Sequence, residues 1–146
     1  QKSSEINLKN LPFRFQHISK NIINDSKSTN YHSLSYAVKR ANEIFINNGY
    51  VLIVCGSPKK EEFRKIDIVG PDQIYIFGKH ANEINKCVNN KNKKVFNELS
   101  DVEDHLNKYN QKNVLFSPGY PSGDDFSNFE ERGVAFNKIF GNSNEN

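Results

Sequence analysis

A chain of 146 residues that is 36% hydrophobic and 25% charged has the material for one domain with a core, and too little length for two. No apolar run approaches the ~20 residues of a membrane helix and no secretory signal opens the chain; the net charge of +3 is carried mostly by lysines scattered among asparagines, which argues against a concentrated nucleic-acid surface. Cys55 and Cys87 fit neither a disulfide framework nor a zinc set, so reduced, buried thiols and a cytoplasmic setting are expected. The absence of methionine is expected of a piece of a longer protein.

Residues 1–10, QKSSEINLKN, are polar and patternless and read as a linker or tag remnant. In the stretch that follows, Phe13, Phe15 and His17 alternate with polar residues before the apolar pair Ile22–Ile23, which predicts a hairpin ending at Asn24. Leu34, Ala37, Val38, Ala41 and Phe45 recur at three- and four-residue steps, predicting a helix that starts near Tyr31 under a Thr29 or Asn30 cap and stops at Gly49. YVLIVCG (50–56) is a continuous apolar run, the pattern of a strand covered on both faces, and IYIFG (74–78) is a second. Helices are expected in HANEINKCV and VEDHLNKY, a solvated loop over NNKNKKVF (89–96), and a strand in NVLFS. A last helix is predicted from about Asp125 to Phe140, with Phe126, Phe129, Gly133, Phe136 and Phe140 on one side, and residues 141–146 as a disordered tail. Strands alternating with helices over 11–140 give an α/β domain: a Rossmann-like, mostly parallel sheet with helices on both faces and a short hairpin in front.

Ligands of such sheets sit beyond the carboxyl ends of the strands. Three predicted strands end there in polar loops, NDSKSTN, GSPKKEEF and SPGYPSGDD, which a parallel sheet would bring to one rim. In the first, Lys27 and a helix amino end suit an anion and Asp25 suits hydroxyls or a cation, while a capped helix start with a local Asp–Lys pair explains the same residues. In the second, a lysine binds a carboxylate as a point charge or sits in a solvated turn. The small residues of the third expose hydroxyls and main-chain N–H groups together, which suits an anion. No pair of histidines has ligand spacing, so His17, His32, His80 and His105 read as surface or packing residues, and no phosphate loop, dinucleotide fingerprint or nucleophile elbow occurs.

Taken in order, LPFRF, INDSKSTN, VLIVCGSPKKEEF and LFSPGYPSGDDFSNFEERGVAF resemble the carboxy-terminal domain of the Mur ligases of bacterial cell-wall synthesis, in the branch that adds D-glutamate. Phe13 stands where that branch has histidine, Cys55 and Pro58 where it has glycines, and Pro121 and Gly123 in place of a small and an apolar residue. The resemblance implies the lid of an ATP-dependent ligase that joins D-glutamate to UDP-N-acetylmuramoyl-L-alanine through an acyl phosphate, inactive alone because the phosphate loop and the Mg2+ ligands belong to another domain. It implies that Arg14, Asp25 and Lys27 contact ATP, that Thr29 and Lys59 hold one carboxylate of D-glutamate, and that Ser122 and the main chain near Phe129 hold the other. Arg132 would support the last loop rather than touch substrate. A monomer is expected, with no resident metal in this domain. Two other readings remain open: a stand-alone Rossmann-like module binding an anion or a partner, and the lid of a related amide ligase adding another amino acid.

Overall fold

A computed structural model describes residues 11–60 and 63–141. The readings of 1–10 as a linker or tag remnant and of 142–146 as a disordered tail fall outside the described residues. The chain runs β1 (Gln16–His17), β2 (Ile22–Asn24), α1 (Tyr31–Ile44), β3 (Val51–Cys55), β4 (Gln73–Phe77), α2 (Ala81–Cys87), β5 (Lys93–Phe96), α3 (Leu99–Tyr109), β6 (Val114–Gly119) and α4 (Phe129–Phe136), which continues as a π-turn over Asn137–Gly141. The six strands form one sheet in the order β1-β2-β6-β3-β4-β5, antiparallel only between β1 and β2.

The last strand in sequence lies inside the sheet. Val114, Leu115 and Phe116 of β6 stand opposite Ile22, Ile23 and Asn24 of β2 on one side and Val51, Leu52 and Ile53 of β3 on the other. Having neighbours on both edges and helices on both faces, β3 and β6 bury every residue, which is why β3 reads as an unbroken apolar run and β6 opens on Val114–Leu115–Phe116. Side-chain alternation divides the core in two. Ile23, Leu52, Val54, Ile76 and Leu115 pack against α1 and α2, while Ile22, Ile53, Phe77 and Phe116 pack against α3 and α4. On the second face Phe116, Phe136 and Phe140 stack in sequence, with centroids 4.5 and 4.4 Å apart.

Two elements differ from the expectation. Residues 93–96 form a strand, not a solvated loop: β5 pairs in parallel with β4, from Ile74–Lys93 to Phe77–Phe96. Its lysines hid it, yet a parallel edge strand needs only one paired side, and Lys93 Nζ reaches the carbonyls of Asn85 and Val88 near the end of α2 at 2.6 and 2.5 Å. The last α-helix begins at Phe129 rather than near Asp125, because Asn128 is its cap and accepts from the Glu131 N–H at 2.8 Å. Phe126 belongs to the loop before it. Asn30, not Thr29, caps α1, accepting from Ser33 N–H at 2.9 Å.

Gly133 carries a close helix-to-hairpin contact, since a Cβ there would lie 2.3 Å from the ring of Phe13. That ring is buried and its backbone is fixed at φ 65°, so it has little room to yield. Gly133→Ala is expected to destabilise the chain by about 1–3 kcal/mol through overpacking. Gly123→Ala, whose Cβ would meet nothing nearer than 3.7 Å, should cost under about 0.5 kcal/mol, and urea denaturation of the two variants checks both.

Candidate functional site

Strands β2 and β6 are neighbours that send the chain to opposite faces of the sheet, β2 into α1 and β6 into α4. The sheet therefore opens into a crevice beyond their carboxyl ends, the topological switch point at which open α/β sheets bind ligands. The loop after β3, the next strand along, adjoins it. The three loops expected on one rim are there, and hydrogen bonds join them.

Arg132 supplies the main tie. Its side chain is fully buried, with Nε donating to Ser26 Oγ (3.1 Å), Nη1 to the Tyr120 carbonyl (2.9 Å) and Nη2 to the carbonyls of Ser26 (2.8 Å) and Ser28 (3.4 Å). One guanidinium from α4 thus fastens the loop after β2 to the loop after β6. The buried polar run Asn24–Asp25–Ser26 is bonded throughout: Asn24 Nδ2 donates to the Gly133 carbonyl and Asn137 Oδ1, and Ser26 Oγ donates to the Phe129 carbonyl. The loop after β3 joins through Ser57, whose N–H donates to the Pro121 carbonyl (2.8 Å) and whose hydroxyl donates to the Gly123 carbonyl. Gly56, at φ 132°, permits this approach, because a Cβ there would sit 2.6 Å from the Pro121 oxygen.

The loop after β4 is latched as well. His80, expected to be a surface or packing residue, bridges Asp124 (2.6 Å) and Glu83 (2.9 Å), and Lys79 N–H donates to Asp125. Those hydrogen bonds, that to Asp124 first, raise the His80 pKa.

A cavity of about 610 Å³ lies between the hairpin and the first turns of α1. Arg14, Asp25, Lys27 and Thr29 all line it. Arg14 is aimed there by the backbone around it: Phe13 and Phe15, at φ 65° and 46°, are both buried on either side of an exposed Arg14. Non-glycine residues held in this region cost about 1 kcal/mol or more each, offset here by burial of two rings, and such strain gathers at binding sites. Lys27 rests its ammonium 4.2 Å from the centroid of the Phe129 ring. Lys59 and Ser122 lie on the two neighbouring, mutually bonded loops and do not line this cavity; Lys59 is exposed and Ser122 half-buried. Phe129 gives its carbonyl to Ser26, while its N–H opens the first turn of α4, where helix N–H groups lack partners within the helix.

The Asp–Lys pair considered for the first loop does not form. Asp25 instead accepts from Phe15 N–H at 2.8 Å and from the Ser117 hydroxyl at 2.8 Å, binding the hairpin turn to β6. Arg40, which the sequence reading does not single out, also lines the cavity, as do His32 and Tyr36. Their spacing, 32, 36 and 40, is the signal that would have found them, one exposed stripe along α1. Among the described residues no three His, Cys, Asp or Glu side chains converge to hold a metal ion. Among the described residues no helix is long and apolar enough to cross a membrane. Cys55 and Cys87 are free and buried, and burial pushes the Cys55 thiol up to about 12.

Burial is the main cause that raises Asp25 from 3.8 to about 6, against the lowering effects of the Ser117 and Phe15 hydrogen bonds and of Arg40 and Arg14. The folded chain therefore holds the Asp25 proton more tightly than the unfolded chain does between these two values. Its contribution to stability is complete below about pH 4 and is lost as pH rises through about 6, by on the order of 3 kcal/mol. Asp25→Asn should remove that slope, so that the difference in urea unfolding free energy between variant and wild type rises from pH 4 to 6.5 and is level above.

No family model matches the chain. Curated relatives do. The "UDP-N-acetylmuramoylalanine--D-glutamate ligase" of Buchnera aphidicola subsp. Schizaphis graminum is 40% identical over 143 residues, covering 88% of this chain and 30% of that protein. Proteins of the same name from Prochlorococcus marinus strain MIT 9312 and Fusobacterium nucleatum are 34% and 33% identical over 94% and 82% of the chain. The chain spans about 30% of the length of these relatives. With identities of this size along nearly its whole length, the chain belongs to the Mur ligase family, matching one segment of the D-glutamate-adding ligases.

Proposed function

We propose that this chain is the carboxy-terminal domain of an ATP-dependent, ADP-forming ligase that joins D-glutamate to UDP-N-acetylmuramoyl-L-alanine. In that reaction the γ-phosphoryl group of ATP passes to the substrate carboxylate, giving an acyl phosphate and ADP. The amine of D-glutamate then attacks the acyl carbon and inorganic phosphate leaves. The observation that carries the reading is the rim itself: of three loops held together by Arg132 and Ser57, the first lines a cationic cavity and the other two bear Lys59 and Ser122.

In this reading Arg14 and Lys27 hold phosphate oxygens. Asp25, its oxygens engaged with Phe15 and Ser117, acts by positioning the hairpin that carries Arg14. Thr29 and Lys59 hold one carboxylate of D-glutamate, and Ser122 with the first-turn N–H groups at Phe129 holds the other. Holding an amine near an acyl phosphate and keeping water out is a positioning task, which a lid performs without a nucleophile of its own. Among the described residues Asp25 is the one carboxylate lining the cavity, so these residues do not fit an Mg2+ site. The ion is assigned to the rest of the ligase, and no step is routed through it here.

Two experiments test the reading. The pure chain should neither form the amide nor hydrolyse ATP, and turnover that persists in proportion to protein through further purification would overturn the assignment. In the ligase containing this chain, Lys59→Ala should raise the KM for D-glutamate by about 2–4 kcal/mol, roughly thirty- to a thousandfold, because it leaves a substrate carboxylate unpaired in a closing site. Lys60→Ala should change it by less than about 0.5 kcal/mol, and neither substitution should move the KM for ATP. A larger effect from Lys60 would mean that Pro58 displaces the loop by one residue.

A further inference from the structure

The cavity between the hairpin and α1 contains more positive charge than the resemblance accounts for. Arg40 stands ten residues beyond the Asn30 cap, about 15 Å along the axis of α1, and still lines the same cavity as Arg14 and Lys27. Its guanidinium lies 3.9 Å from the centroid of the Phe15 ring. Stacking occupies only the face of the guanidinium. The N–H donors lie in its plane and stay available at the edge, where a planar fork of donors meets phosphate oxygens. Phe15 is a firm platform, since its ring is buried and its N–H is bonded to Asp25.

Among the described residues the ion pairs within 4 Å are those of His80, so Arg14, Lys27 and Arg40 have no carboxylate at that distance. Among the described residues Asp25 is the only acid in the lining, and the Phe15 N–H and the Ser117 hydroxyl already bond its two oxygens. A second, independent sign points to a ligand: Ser28, 2% exposed and part of the lining, has a buried hydroxyl without a hydrogen-bond partner among the described residues. Three cations lining one cavity against one engaged carboxylate suit a multiply charged anion such as a polyphosphate.

We propose that Arg40 is a further phosphate-binding residue, its guanidinium, seated on Phe15, contacting the polyphosphate chain of a nucleoside triphosphate together with Arg14 and Lys27. The proposal rests on the reading of this cavity as the nucleotide site and adds to it a contact on the body of α1.

Calorimetric titration of the chain with inorganic tripolyphosphate, ATP and orthophosphate tests it. The wild type should bind tripolyphosphate and ATP at least tenfold more tightly than orthophosphate. Arg40→Gln should weaken both by about tenfold, and Arg40→Lys, which keeps the charge but loses the planar fork, by a smaller factor. Because Arg40 is exposed, thermal unfolding of both variants should match the wild type, which separates lost binding from lost folding. Unchanged tripolyphosphate affinity in Arg40→Gln, with weakened affinity in Arg14→Ala, would overturn the role of Arg40 and leave the nucleotide reading standing. A wild-type chain with no preference for tripolyphosphate over orthophosphate, and no effect of Arg14→Ala, would overturn both.

Discussion

A buried guanidinium with no carboxylate within 4 Å among the described residues holds this domain's working rim together. Arg132 comes from α4, on one face of the sheet, and passes its hydrogen bonds to the loop that leads into α1 on the other. Taking such a charge out of water costs several kcal/mol, and burial lowers the Arg132 pKa as expected. Carbonyl and hydroxyl oxygens from two loops offset that cost only if they all converge, so the guanidinium is stable in one loop arrangement and poorly solvated in others. Specificity of loop position, rather than net stability, is what this interaction supplies.

Given that frame, the remaining polar residues fall into two classes. Asn24, Asp25, Ser26 and Ser117 face inward and bond to one another or to the backbone, and they set the geometry. Arg14, Lys27 and Arg40 keep their charged ends at the cavity, two of them resting on aromatic rings. Resting a cation on a ring limits its rotamers without neutralising it, so less ordering remains to be done when an anion arrives. The strained pair Phe13 and Phe15 belongs to the same economy of motion, holding Arg14 out while both neighbours are buried.

Much of this was legible beforehand. Strands buried on both faces declare themselves as apolar runs, and an amphipathic α1 by its spacing, so the α/β class and the shared rim followed from sequence. The strand of Lys93–Phe96 did not, because an edge strand that opens on two lysines has the composition of a loop and is defined by its partner. The start of α4 was misplaced because Phe126 keeps helical spacing with Phe129 while the cap at Asn128 lies between them. The 32, 36, 40 stripe that holds Arg40 shows in the sequence as helical spacing, but only the approach of the hairpin with Phe15 makes that stripe the wall of a cavity. Positive φ at two phenylalanines is a tertiary outcome that no local preference announces.

The position of β6 bears on how the chain comes to be folded. Strands β2 and β3 are separated by a gap one strand wide until residues 114–119 fill it, so ladders on both sides of β6 form only after nearly the whole domain has been made. The pairings involved span some ninety residues for Ile22–Val114 and about sixty for Val51–Val114. During synthesis the hairpin and α1 must wait, with the inner edges of β2 and β3 unpaired, for a segment near the far end of the domain. Closure of the sheet and assembly of the rim are then the same late event, because the strand that completes the first also carries Ser117 and leads directly to Tyr120, whose carbonyl Arg132 binds.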